Sequence, residues 1–319
     1  MPPPAEGTHY VDGRLLHAYY YEAMGRTYIG TAGFSYKDWQ GTFYPRGMKR
    51  SQHPLGYYAR YFDCCEINTT FYGHLRPEWG KKWCDTVAAE CPDFQFTAKL
   101  YQGFTHAPAA VVQSTSAETI KPAEDDEALA RKGLDSLAER GRLGALLAQF
   151  PISFKNTDAN RDYLAGLIER FRDYPLVVEV RHLSWNDAKV LAGFAEKNVA
   201  FCNIDQPLLG RAIRPSQHVT APVGYVRMHG RNYKEWFESN NRNDRYNYLY
   251  TEKEIADWAE RVRQIDARAE KTFVITNNHY KGQAAANALE IKELLPGKKV
   301  AAPPALVETY PVLRKYTQE

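Results

Sequence analysis

No run of apolar residues in the chain approaches the roughly 20 that a bilayer-crossing helix needs, so no membrane span is expected. The five cysteines contain no CxxC spacing, and the adjacent pair Cys64 and Cys65 falls in a strand-like run where neighbours point to opposite faces. That excludes a metal site shared by the pair, and buried reduced thiols in a cytoplasmic protein are expected instead. Neither sign of charge dominates. Lys and Arg number 41 against 38 Asp and Glu, and the formal net charge of +3 is too small to announce nucleic acid or a membrane surface. No GxGxxG follows the first strand candidate and no HExxH occurs, so dinucleotide and zinc-protease signatures are both missing. The opening MPPPAEGTHYVDGRLLHAYYYEAM has no basic start followed by an apolar core, which argues against a secretory signal.

What the 319 residues do contain is a regular alternation of short β-rich runs and longer helical patterns. Strands are expected over 27–33, 62–72, 94–100, 143–150, 176–182, 199–205, 223–230 and 271–279. Helical spacing fills most of the gaps, as in Leu164, Leu167, Ile168 and Phe171. Asp158, Asp187 and Thr251 stand where N-caps belong, and Thr251 with Glu254 predicts a capping box. Eight such units make an α/β protein with a single (β/α)8 TIM barrel over 27–299. Residues 1–26 read as an N-terminal extension and 300–319 as a C-terminal tail. One α/β unit is irregular, because residues 206–222 between strands six and seven lack helical character. A doubly wound open sheet is the alternative architecture. The loops 34–54, 101–127 and 230–250 are long and all follow strands, which places them on the face where barrels carry their sites.

Alternation along each strand separates barrel interior from helix-facing side. In VVEVRH, Val178 and Val180 share one face and Glu179 and Arg181 the other, so the charged pair is expected inside. The same rule sends Lys99, Arg227, His229, Asn203 and Asp205 inward, with Glu66 and Asn68 opposite Cys65 and Ile67, and Gln149 opposite Phe150. Polar ends on six or seven strands imply a polar-lined mouth, since buried charges without partners are costly. The competing reading is a salt-bridge network of Glu66, Lys99, Glu179, Arg181, Asp205 and Arg227 that only braces the barrel. His182 has helix-facing parity and is expected to be structural.

Several blocks, in order, carry a family resemblance: GTAGFSYKDWQGTFYP (30–45), YYARYFDCCEINTTFY (57–72), FQFTAKLYQGFTH (94–106), GALLAQFP (144–151), VVEVRHLSW (177–185), GYVRMHGR (224–231) and ITNNHYKGQAAANA (275–288). The chain resembles the domain of unknown function 72 family, the YecE-like proteins, over nearly everything from Tyr28 to Leu295. Ala32 and Phe34 stand where the family often has Ser and Trp. The resemblance implies a TIM barrel and supplies no reaction. It marks Tyr36, Trp39, Glu66, Asn68, Phe71, Tyr72, Lys99, Glu179, Arg181, Arg227, His229, Gly230, Asn277, Asn278 and His279.

These residues suit acid–base, hydrolase-like chemistry on a small polar anion. Glu66, Glu179, His229 and His279 are the candidate catalytic groups, with His106 as a further imidazole. Lys99, Arg181 and Arg227 are expected to hold a phosphate or carboxylate. Tyr36, Trp39, Asn68, Tyr72, Gln149, Asp205, Asn277 and Asn278 complete the binding set. The loop HGRNYKEWFESNNRNDRYNYLY adds Tyr233, Trp236, Phe237, Tyr246 and Tyr248 over the top. The knot NNHYKG at the end of the last strand precedes a helix, where barrels often hold phosphate. Two alternatives stay open. One is an endonuclease-like phosphodiesterase with a single divalent metal on Glu66, Asp205, His229 or His279. The other is a non-catalytic ligand-binding protein. No cofactor is named by any motif.

Overall fold

The computed structural model describes residues 25–48, 53–106, 124–233 and 244–318. Most of the N-terminal extension, with Trp236 and Phe237 of the long loop, lies outside the described residues. Eight parallel strands close into a barrel in sequence order. They are β1 Arg26–Ala32, β2 Cys64–Ile67, β3 Gln95–Lys99, β4 Leu143–Gln149, β5 Leu176–Glu179, β6 Ala200–Asp205, β7 Val223–Met228 and β8 Lys271–Thr276. Around them lie α1 Pro54–Ala59, α2 Pro77–Ala88, α3 Asp126–Ala138, α4 Asp158–Arg170, α5 Ala188–Glu196, α6 Glu252–Asp266, α7 Gln283–Leu294 and α8 Pro304–Thr309. Among the described residues no helix is long and apolar enough to cross a membrane.

All eight expected strands are present, several shorter at the C-terminal end. β2 stops at Ile67 because Asn68 turns into the αR region and begins a 3-10 turn over Thr69–Phe71. The β-branched pair Thr69 and Thr70 reads as strand, but Thr70 turns back to donate its hydroxyl to the Ile67 carbonyl. Asp187 caps α5 by accepting from Lys189 and Val190, and Thr251 with Glu254 forms both halves of the capping box on α6. The cap of α4 is Thr157, one residue before the expected Asp158, which instead occupies the first turn.

The tail returns to the body of the protein. Leu306 and Leu313 are fully buried, and Val300 bridges to Thr317. The core between barrel and helices includes Trp39, Trp185 and Trp258, all essentially without exposure. Each contributes on the order of 1.5–3 kcal/mol of burial free energy. All five cysteines are free thiols, and four of them are buried.

The lower barrel interior is aromatic. Tyr28 stacks on Phe273 at 5.1 Å, and Tyr225 meets the same ring at 6.0 Å. Gly144 makes room for this cluster, since a Cβ there would sit 2.3 Å from Phe273 Cζ. Gly144→Ala should therefore cost about 1–3 kcal/mol through overpacking. A urea midpoint equal to wild type would contradict that packing.

Candidate functional site

Side chains that share a register position across parallel strands share a face, so the interior can be followed strand by strand. Tyr225 points inward, because its hydroxyl reaches both Thr97 at 2.8 Å and Glu66 Oε2 at 3.0 Å. Arg227 lies two residues on and projects into the same space. Its Nη2 donates to Glu66 Oε1 at 2.6 Å, and its Nη1 donates to Glu179 Oε2. Glu66 and Glu179 have no exposure and Arg227 has 1%. One guanidinium thus ties β2, β5 and β7 together inside the barrel.

Glu179 organises the next layer with its other oxygen. Oε1 accepts from Arg181 Nε at 2.8 Å and lies 3.2 Å from His229 Nε2. Burial alone would raise the Glu179 carboxyl, but Arg227, Arg181 and His229 hold it well below the usual carboxylate range. His229 is wholly buried, and that burial pushes its imidazole down to about 3. Asn277 Nδ2 donates to His229 Nδ1 at 3.0 Å, which leaves the ring proton on Nε2, facing Glu179. Gln149 Oε1 is 3.4 Å from Arg227 Nη1. The structure therefore gathers Glu66, Lys99, Gln149, Glu179, Arg181, Arg227, His229 and Asn277 at the upper end of the barrel.

Lys99 is placed differently from the other cations. It ends β3, is half-buried, and rests its Nζ 4.1 Å from the centre of the Phe71 ring. Burial, then Arg227, push its amine down to about 7, against the pull of Glu66 and Glu179. His106 meets the same Phe71 ring at 5.0 Å, edge to face, and its Nδ1 pairs with the Thr105 hydroxyl. Burial and the charge on Lys99 lower that imidazole to about 4.

Four expectations are corrected. The parity of β6 is inverted: Cys202 is in register with Tyr225 and Ile204 with Arg227, so those two face inward. Asn203 instead points out into residues 206–222, accepting from Ser216 Oγ and the His218 amide and donating to the His218 carbonyl. Asp205 is also outside the barrel, held by Arg231 at 2.9 Å, and is not part of the mouth. Helices need an apolar face, but no helix follows β6, and a polar segment covers it instead.

The second correction concerns NNHYKG. Only Asn277 faces the mouth. Asn278 donates to the Tyr248 carbonyl and to Asn287 Oδ1, on the far side of β8. His279 is clamped between Tyr36, stacked at 4.3 Å, and Tyr246 at 4.9 Å, and burial lowers it to about 4. Gly282 takes φ +85° as the α7 N-cap, and Asp38 already accepts from the Lys281 amide at 2.7 Å. A protein carboxylate thus occupies the turn where an anion was expected.

Third, Trp39 is fully buried and donates its indole N–H to the His279 carbonyl at 2.7 Å, so it clasps the corner and faces no ligand. Fourth, Arg227 has both terminal nitrogens committed to carboxylates and is a brace, not an anion holder. Tyr72 stands at the rim, 66% exposed. Tyr36 and Asn68 line a separate cleft of about 580 Å³ with Phe34, His53, Trp79 and Trp83, and Glu66 forms part of its wall.

A family model described as protein of unknown function DUF72 matches residues 28–309. The chain belongs to the DUF72 family. It is 28% identical over 283 residues to UPF0759 protein YunF of Bacillus subtilis (strain 168), covering 84% of this chain and 94% of that protein. The crystal structure of a DUF72 family protein from Thermotoga maritima MSB8 aligns with a TM-score of 0.71 at 35% identity, covering 85% of this chain and 99% of that one. One from Enterococcus faecalis V583 aligns at 0.72 and 28% identity, covering 87% and 98%. The DUF72 match ends at Thr309 and so takes in α8, which lies within the residues 300–319 expected to form a tail.

Among the described residues of this DUF72 chain, no three His, Cys, Asp or Glu side chains converge as metal ligands. Of the four groups considered for a divalent ion, Asp205 lies outside the barrel and His279 is held in its aromatic clamp. Glu66 and His229 are already spent on Arg227 and Glu179. Sequence reasoning missed Tyr225, the hydroxyl that satisfies the second oxygen of Glu66. The signal was there, since Tyr225 has the parity of Arg227 and His229.

Arg227→Met should cost about 3–5 kcal/mol, because it leaves two buried carboxylates without a counter-charge. A chemical denaturation midpoint within error of wild type would refute the brace. A pH dependence follows from His229. Its folded value lies below the ordinary 6.5, so the unfolded chain takes up the proton first as pH falls. Its contribution to stability is complete above about pH 6.5 and declines below it, by up to about 1.4 kcal/mol per pH unit. Between pH 6.5 and 4.5, wild type should lose more stability than His229→Asn. Equal losses would show that the imidazole does not titrate this way.

Proposed function

We propose that this DUF72 protein is an enzyme that binds a small polar anion at the barrel mouth and performs acid–base, hydrolase-like chemistry on it. The observation that carries the reading is the charge balance of the mouth. Glu66 and Glu179 are matched by Arg227 and Arg181, so Lys99 is surplus positive charge when protonated. A carboxylate or phosphate on the substrate restores neutrality. In this reading Arg181, steered by Glu179 and 17% exposed, presents its remaining N–H groups to the anion. The amides of Gln149 and Asn277 supply further hydrogen bonds.

The proton-transfer role moves within the candidate set. Glu179 is held ionised by its arginines, and His229 is neutral and sealed, so both position other groups. Lys99 is half-buried, and an amine that burial pushes down to about 7 suits a general acid or base. The neighbouring aromatic cleft gives room for an uncharged part of the substrate beside the mouth.

Calorimetric titration with inorganic phosphate and pyrophosphate at low salt tests the reading. Binding should weaken as ionic strength rises. It should fall at least about tenfold in Lys99→Met and in Arg181→Met, the loss of one charge-assisted contact. Binding that is absent, or untouched by both substitutions in folded protein, would sink the proposal.

A further inference from the structure

Arg227 and Arg181 both sit on carboxylates, whereas Lys99 does not. Among the described residues no hydrogen-bond or ion-pair partner meets its Nζ, which lies 4.1 Å from the centre of the Phe71 ring. The carboxylates that could have stabilised an ammonium there are already held by guanidinium groups. Register with β2 on one side and β4 on the other fixes the strand that carries the side chain. A lysine on a rigid strand, desolvated by an aromatic ring and crowded by other cations, is arranged as a nucleophile.

We propose that Lys99 forms an imine with a small carbonyl compound that also bears a carboxylate or phosphate, the anionic group being held by Arg181. The inference rests on the reading of the mouth as an anion site and names the substrate class. The Nζ lone pair forms the N–C bond while the carbonyl π pair moves to oxygen, which takes a proton from nitrogen. The C–O bond then breaks and nitrogen forms the second bond to carbon. Oxygen leaves as water with both of the amine protons, so amine and carbonyl are converted to imine and water with no other reactant. The resulting C=N group acidifies the neighbouring C–H, which is how such a lysine serves isomerase or lyase chemistry. An amine lowered to about 7 is unprotonated in about half of the molecules at neutral pH, against less than one in a thousand for an ordinary lysine.

The test uses the full-length protein with pyruvate and, separately, dihydroxyacetone phosphate, under sodium cyanoborohydride, followed by peptide mass mapping. At about pH 7 the reduced adduct should fall on Lys99 with at least about tenfold more label than exposed lysines such as Lys253. Labelling should rise through a midpoint near 7 and be blocked by excess inorganic phosphate, a control that needs no variant. Lys99→Arg carries a guanidinium that stays protonated at neutral pH, so it should lose the adduct. Labelling without preference for Lys99, in protein that still binds phosphate, overturns the imine and leaves the anion site standing. No calorimetric binding of phosphate or of either probe overturns both.

Discussion

Arg227 sits between two carboxylates in a space closed to water, and the upper barrel is arranged around it. Taking three charges out of solvent costs several kcal/mol each, and their attraction repays that only when every polar atom is matched. Here the matching is nearly complete. Glu66 gives one oxygen to Arg227 and the other to Tyr225, and Glu179 gives one to Arg227 and the other to Arg181 and His229. Only Arg227 Nε is left without a partner. Such a cluster is poor evidence for extra stability. What it does is select one arrangement of three strands drawn from different parts of the sequence.

The layer above inherits its geometry from this cluster. Because Glu179 stays ionised, it fixes the direction of the Arg181 guanidinium and the tautomer of His229, and His229 in turn orients Asn277. The bracing and functional readings of the polar strand ends therefore describe two levels of one structure. The lower level is sealed, and its second carboxylate charge is met by Arg181 from above. The upper level is half-open and carries the uncompensated amine.

The eight strands and the inward direction of most polar ends were legible in the sequence because the signal is local: alternation on strands backed by helices. It worked for Glu66, Lys99, Glu179, Arg181, Arg227 and His229. It failed on β6, where Ala200, Phe201, Cys202 and Ile204 offer apolar residues on both faces. There the direction is decided by what covers the strand, and residues 206–222 bring backbone groups that Asn203 must satisfy. The NNHYKG corner misled for a related reason. A cluster of polar side chains reads alike whether its partners are a ligand or other parts of the chain. Here Asn287, Tyr248, Tyr36 and Asp38 come from distant elements. The lowering of the Lys99 amine was likewise invisible, since it depends on burial beside Phe71, in the turn after β2, and on Arg227 from β7.

The clasp between the first loop and the last has a consequence for how the chain folds. Trp39 holds the His279 carbonyl across 240 residues, Asp38 holds the Lys281 amide across 243, and β1 pairs with β8 over six register positions. Contacts of such separation raise the entropic cost of closure and slow folding. During synthesis β1 has one edge without a neighbour until β8 has left the ribosome. Asn277 belongs to that last strand end, and Lys99 to the third. The two sides of the mouth meet only when the ring closes, so no nascent chain that stops short of β8 brings Asn277 and Lys99 together.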